Sequence, residues 1–364
     1  MKSISALLLI LSVACPSLVL AWGFHDAMDY GSPIAAVTPK SSAMGGVWSM
    51  PSGGPASIFL NPAELSTLDS AVITVGTGVI QWSTFTYGEH AFSQILSGTI
   101  LGTATAAIGF RLSDRISMGA GVARVSDFGF EGESLEITLN GPGRYRVYAA
   151  SNLDSRGSLW EVNTGMSFKL SNWLIAGASG GLRSGSGSWT LVYNLLYESV
   201  PNDTTSLDWD ELDFCAHIGV LMPLEIGTFG ISGTNASGRY RSRVAIGYQK
   251  DLEILNGSTL GFEVDVQSIE DDNPEVSGKF FAVFAEMIPK VRSIYSVGFD
   301  RASDYKRAGL CLSTGACIDL GRMDLDMAIS WRSRSRAGFS FPEPHLDNID
   351  DSGTYYNIGL NWKL

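Results

Sequence analysis

The stretch Met323-Asp324-Leu325-Asp326-Met327-Ala328-Ile329-Ser330-Trp331 alternates without a break. Met323, Leu325, Met327, Ile329 and Trp331 fall on one parity. Asp324, Asp326, Ala328 and Ser330 fall on the other. Successive side chains of a strand face opposite sides, so this segment has one apolar face and one polar or small face. Trp160 to Leu170 repeats the pattern, and so does Phe262-Glu263-Val264-Asp265-Val266. A soluble β-sandwich also alternates, but its strands are commonly about 5–6 residues long, and the first two runs exceed that. Long alternating runs are what membrane-spanning strands require, apolar toward lipid and polar toward a lumen.

The chain end carries the same signal. Tyr356, Ile358, Leu360, Trp362 and Leu364 alternate with Asn357, Gly359, Asn361 and Lys363. This resembles the C-terminal strand by which outer-membrane barrels are recognised by the barrel-assembly machinery, with Leu364 where an aromatic usually stands. Counting backward gives strands near 353–364, 321–333, 306–318, 292–300, 277–286, 257–268, 240–250, 224–234, 212–222, 172–184, 157–170, 115–126, 104–112 and 71–81. The expected fold is all-β: a transmembrane antiparallel barrel of about fourteen strands, an even number that closes the sheet and leaves no edge in lipid. Short connections at Ser113-Asp114, Ser171-Asn172, Pro223, Met287–Val291 and Leu320-Gly321 are expected on the periplasmic side. Long ones at 82–103, 127–156, 185–211, 269–276 and 334–352 are expected outside, and 185–211 has room for a further hairpin.

Composition agrees. The 364 residues are 45% hydrophobic and only 17% charged, with 41 glycines and a net charge of −12. No basic footprint exists to neutralise phosphates, so a nucleic-acid partner is not expected. Lys2, the apolar run Ala6–Ala14 and Val19-Leu20-Ala21 read as a signal peptide over 1–21. Cys15 invites a lipoprotein reading, but Ser12 stands where such signals usually carry Leu. The longest later apolar run, Ile95–Phe110, is interrupted by glycine, serine and threonine and falls short of the roughly 18 residues of a membrane helix. Export to a bacterial outer membrane, held by strands and surrounded by its lipid, is the expected location.

Residues 22–70 do not read as strands, and the barrel is expected over 71–364. The segment carries Met44-Gly45-Gly46, then Pro51-Ser52-Gly53-Gly54-Pro55, then Asn61-Pro62-Ala63-Glu64-Leu65. This resembles the start of the FadL-type long-chain fatty-acid transporters and their PorV/PorQ relatives. There a Gly-Gly segment and an Asn-Pro-Ala-Gly-Leu motif precede the first strand. Here Glu64 replaces the glycine, which permits positive φ as Glu does only at a cost. The resemblance implies that 22–70 folds into the lumen as a hatch. Gly45, Gly46, Asn61, Pro62 and Ala63 would lie at the gate, and hydrophobic small molecules such as long-chain fatty acids would pass from the lumen through a side opening. A water-filled pore suits such cargo poorly, since each exposed CH₂ costs about 0.8 kcal/mol. The same resemblance leaves open a PorV-like role in type IX protein secretion, with secretion-system proteins as partners. A purely structural barrel is a third reading.

Other residues set expectations for the lumen. Arg239, Arg241 and Arg243 share one parity, as do Arg332, Arg334 and Arg336 following Asp324 and Asp326. These arginines are expected near the outer rim, balancing carboxylates such as Glu263 and Asp265; capture of a substrate carboxylate is the sharper alternative. Cys215, His217 and Asp213 share the lumen parity, but neighbours on one face lie nearly 7 Å apart along a strand, a poor metal set. Cys311 and Cys317 are about 20 Å apart on one strand, too far for a disulfide. Trp82, Trp173, Trp189, Trp362 and Tyr248 are expected in interface girdles. No Gly-x-Ser-x-Gly elbow, zinc helix or phosphate loop appears, so neither an enzyme nor a cofactor is expected.

Overall fold

The computed structural model describes residues 32–33, 36–52, 54–87, 94–139, 145–195, 203–252, 258–267, 274–302, 308–340 and 345–364. The expected signal peptide lies outside them. Fourteen strands close into one antiparallel barrel. They are β1 Val72–Tyr87, β2 Gln94–Arg111, β3 Ile116–Asp127, β4 Tyr145–Lys169, β5 Ile175–Leu195, β6 Asp203–Leu224 and β7 Gly227–Thr234. Next come β8 Arg243–Leu252, β9 Ser258–Gln267, β10 Glu275–Ile288, β11 Val291–Ala302, β12 Ala308–Asp319, β13 Met323–Ser340 and β14 His345–Lys363. Each pairs with its neighbour, and β14 returns to β1 from Lys363↔Val72 to Asn348↔Tyr87. Closure gives every wall strand two partners over the span, so its backbone groups are satisfied without water.

Each strand expected from the alternation is present, and several run farther outward. Connection 127–156 holds an additional strand, Phe130–Leu139, hydrogen-bonded to the outer half of β4. The extra hairpin considered within 185–211 does not form; β5 and β6 pair directly from Ile175↔Leu221 to Tyr193↔Asp203. The periplasmic turns are tight. At one of them Gly321 takes φ 90°, and its N–H donates to Asp319 Oδ1 at 2.7 Å.

The outer wall is an apolar belt. Val75, Ile218, Ile246, Val264, Phe280, Phe299, Leu312 and Ile358 are all exposed. Phe229, Tyr248, Phe262, Phe280 and Phe299 form a row across β7–β11, ring centroids 4.7–6.4 Å apart. In water this surface would be heavily penalised; in hydrocarbon it is matched. Trp173, Trp362 and Tyr248 belong to the outer surface as expected. Trp82 does not: its parity is the lumen one, and it is buried on Phe130 at 4.9 Å. Trp189 likewise packs in that inner cluster with Ile80, Leu153, Leu191 and Tyr355.

Candidate functional site

Residues 36–70 thread through the lower, periplasmic half of the lumen. Helix α1 spans Pro39–Ala43, capped by Thr38, whose hydroxyl accepts from Ser41 N at 3.1 Å. It touches β11 to β14. The chain then turns at Gly45 and Gly46, φ 83° and 79°, values that glycine adopts without penalty. Two 3₁₀ turns follow, Gly54–Phe59 against β2 and β3, and Pro62–Thr67 against β4, β5 and β6. Met44, Val47, Met50, Ile58, Phe59, Leu60, Ala63 and Leu65 are all buried. Contacts on opposite walls of the ring mean that the segment crosses the lumen.

Glycines on the inner wall make room for it. A Cβ at Gly219 would lie 1.9 Å from Asn61 Oδ1, and one at Gly177 would lie 2.3 Å from Ala63 N. A Cβ at Gly230 would meet Ser49 O at 2.2 Å, and one at Gly315 would meet the Ala43 Cβ at 2.5 Å. Any side chain at these positions would occupy the volume the segment fills.

Asn61, Pro62 and Ala63 form one buried turn. Asn61 is fully buried and caps the second 3₁₀ turn, its Oδ1 accepting from Ala63 N at 3.2 Å. Its Nδ2 donates to Ser49 O at 2.7 Å, which ties two parts of the segment together. Pro62 at the first position of the turn has no N–H to leave unpaired. Glu64 sits without positive φ, and its carboxylate accepts from Gly54 N at 3.1 Å. The replacement of glycine therefore leaves the turn intact and adds a contact.

A buried polar cluster holds the Gly-Gly turn. The Glu263 carboxylate accepts from Trp48 N at 2.8 Å, Ser49 N at 2.6 Å and Ser49 Oγ at 2.7 Å. Lys279 Nζ bridges Glu263 at 2.9 Å and Asp265 at 2.8 Å, and donates to Gly46 O at 2.7 Å. Arg243 pairs with Asp265 at 2.9 Å and lies 4.4 Å over the Trp48 ring. Arg243, the first residue of β8, thus neutralises the buried carboxylate of Asp265. Lys279 escaped sequence reading; in the β9–β10 register it stands directly opposite Glu263.

A second cluster sits on β4, β5 and β6. Arg183 donates through Nε to Glu161 at 2.8 Å, and His217 Nε2 lies 2.9 Å from the other Glu161 oxygen. Asn163 and Cys215 join it, the thiol donating to Asn163 Oδ1 at 2.9 Å. Arg183 stacks 3.8 Å over Tyr240, from the connection between β7 and β8. Glu161, Arg183 and His217 are essentially inaccessible. Among the described residues, no three His, Cys, Asp or Glu side chains converge as metal ligands. Cys215, Cys311 and Cys317 are free.

The remaining candidates lie apart. Asp324 pairs with Lys363 at 2.9 Å at the periplasmic mouth, and Asp326 accepts from Asn361 at 2.7 Å. Both line a cavity of about 590 Å³ beneath the segment, together with Lys40 and Arg292. Arg332 lines a small chamber with Gly45, Gly46, Ser330 and Asn357. Arg241 is half-buried in the β7–β8 connection. The side chains of Arg334 and Arg336 lie outside the described ones.

The wall behind that chamber is thin. On the lipid side, an apolar groove of about 410 Å³ is lined by Thr77, Val79, Thr314, Ala316, Met327 and Ile329. Gly78, Gly315 and Ala328 offer no bulk between groove and lumen, and β1 is irregular at Thr77/Val79. Asn357 lines both spaces and donates to Ser42 Oγ at 2.8 Å.

Three solved structures resemble this one over nearly their whole length. A FadL homologue of Pseudomonas aeruginosa has a TM-score of 0.58 at 11% identity, covering 92% of this chain and 99% of that one. The toluene transporter TodX of P. putida has 0.64 at 13%, covering 91% and 99%. The toluene transporter TbuX of Ralstonia pickettii has 0.59 at 14%, covering 91% and 99%. No family model and no curated protein matches the sequence. At such identities the likeness is one of fold.

Proposed function

We propose, for a chain that folds as a FadL-like barrel of the bacterial outer membrane, that it passes hydrophobic small molecules such as long-chain fatty acids, with the segment 36–70 as the gate. One observation carries the reading: buried side chains of the segment between Ala36 and Leu68 pack in the lower lumen, bonded to the wall through Glu263, Lys279 and Ser330. A plug held by hydrogen bonds to a polar wall blocks water and ions, yet it can shift when those bonds are exchanged. The route that fits is lateral. The chamber at Ser330, about 20 Å³, has no room for cargo while the segment is seated; once the segment shifts, cargo in the vacated space would pass Asn357 into the groove at Thr77–Val79 and Met327, and from there into hydrocarbon. An acyl or aromatic molecule moving that way stays out of water, where each CH₂ would cost about 0.8 kcal/mol. The names of the similar structures, toluene transporters and a FadL homologue, are consistent with cargo of this class.

The test is uptake by liposomes that carry the purified barrel. Radiolabelled oleate and toluene are compared with glucose. Oleate entry above protein-free vesicles, without glucose entry, is expected. Equal oleate entry with and without the barrel refutes the proposal. Toluene entry without oleate entry keeps the hydrophobic channel and removes the fatty-acid assignment.

A further inference from the structure

Among the described residues, the upper part of strand β6 pairs on one side only. Over Asp203–Leu221 it pairs with β5 on one side. On the other side, β7 reaches only from Leu224↔Gly227 to His217↔Thr234. Asn235 then caps two further positions: its side chain accepts from Ala216 N at 2.8 Å and donates to Phe214 O at 3.1 Å. Above Phe214, no strand of the described residues lies against that side. Because Ala216 and Phe214 direct backbone groups to the open side, period two sends those of Leu212, Asp210, Asp208, Ser206 and Thr204 the same way. An apolar band of roughly 25 Å takes about ten tilted residues. Counted up from Leu224, residues 203–213 therefore stand above the bilayer, in water.

This edge reads Asp203-Thr204-Thr205-Ser206-Leu207-Asp208-Trp209-Asp210-Glu211-Leu212-Asp213 and holds no Lys or Arg. Most of it is exposed. An exposed row of unpaired N–H and C=O groups is a template for an added strand. Charge decides which strand. A second copy would set acids against acids, which like-charge pairing disfavours. An extended segment bearing Lys or Arg at alternate positions would meet Asp208 and Asp210, which share one face of the strand, with opposite charge; Glu211 lies on the other face and accepts from Arg239 N at 3.0 Å. We propose that residues 203–213 form a β-augmentation site that takes up an extended basic segment of another polypeptide at the cell surface. This does not rest on the passage of hydrocarbons; binding is measured on the barrel alone and uptake separately.

The probe is a fluorescein-labelled (Lys-Val)₅ peptide added to the barrel in nanodiscs. Controls are (Glu-Val)₅ and a lysine peptide of equal charge with proline at every third position, which cannot form a ladder. The first should bind, protect amides within 203–213 from hydrogen exchange, and exceed the proline peptide by about tenfold. The Leu212→Pro variant removes one outward N–H while sparing the β5 side, since edges tolerate proline; it should weaken binding about fivefold. Should that variant fail to fold, Asp208→Asn with Asp210→Asn should weaken binding and flatten its salt dependence. Binding that ignores proline in the peptide, no protection over 203–213, or no binding at all overturns the proposal. In the last case the acids serve only to keep the edge from pairing.

Discussion

Glu263 is the residue on which the seating of the plug can be tested most sharply. Its carboxylate receives three hydrogen bonds from the Trp48–Ser49 turn, at 2.6–2.8 Å, and pairs with Lys279. Bonds to a charged acceptor contribute about 1.5–3 kcal/mol each. Glu263→Ala removes all three and strands two buried N–H groups, so at the low end of that range the docked turn loses about 4–5 kcal/mol. Glu263→Gln keeps one acceptor oxygen, now neutral, where Oε2 stood, and turns an amide toward Lys279; a loss of about 1.5 kcal/mol follows if each bond falls to the neutral value near 1. Lys279 keeps Asp265 and Gly46 O in both variants, so the wall itself should hold. The assay is hydrogen exchange of the peptide spanning residues 44–50, read by mass spectrometry in nanodiscs. At 1.4 kcal/mol per factor of ten, exchange should rise about tenfold in Glu263→Gln and about 10³-fold in Glu263→Ala, with β9 and β10 amides unchanged. Unchanged exchange over 44–50 in both variants would refute the reasoning. Equal acceleration across the barrel would show that Glu263 supports the wall and not the plug.

Three other outcomes follow from the same geometry. Gly177→Val or Gly219→Val puts atoms where Ala63 N and Asn61 Oδ1 now sit, 2.3 and 1.9 Å from the new Cβ; the plug should unseat, and planar-bilayer recordings should show ion conductance in the variant and silence in the parent. Arg183→Met leaves Glu161 buried without its guanidinium partner, a change that costs about 3–5 kcal/mol and should lower the temperature at which the barrel loses its folded mobility on unheated gels. Phe280→Arg places a charge on the lipid face, where Phe280 is 53% exposed; at mid-bilayer that costs about 2–4 kcal/mol, measured as reduced folding yield into vesicles against urea.

The wall was legible in the sequence because lipid and lumen impose opposite demands on alternate residues. Phe262, Val264, Glu263 and Asp265 declare their sides without any knowledge of neighbours. What faces what was not legible, since parity gives the side but register gives the partner. Lys279 opposite Glu263, and Arg183 opposite Glu161, emerge only from the β9–β10 and β4–β5 pairings. Trp82 and Trp189 were placed in the interface girdle from their residue type, although the parity of β1, with Val75 and Val79 outward, already turns Trp82 inward. The inner glycines Gly177 and Gly219 looked like small polar-face residues; their role depends on a segment far away in sequence. The strand Phe130–Leu139 gave little signal, as it pairs above the belt, where lipid imposes no alternation. The contact of Asn61 to Ser49 emerges through structure alone, because it joins residues whose nearness no local pattern encodes.

The claim beneath all of this is that the plug must move for cargo to pass. Ser42 Oγ on the plug lies 2.8 Å from Ser330 Oγ on β13, so Ser42→Cys with Ser330→Cys, made in a background lacking the three free cysteines, can lock the two together. Oleate entry into liposomes should stop on oxidation and return on reduction to the rate of the cysteine-free barrel. Entry at the same rate in the oxidised, fully cross-linked protein would contradict the account.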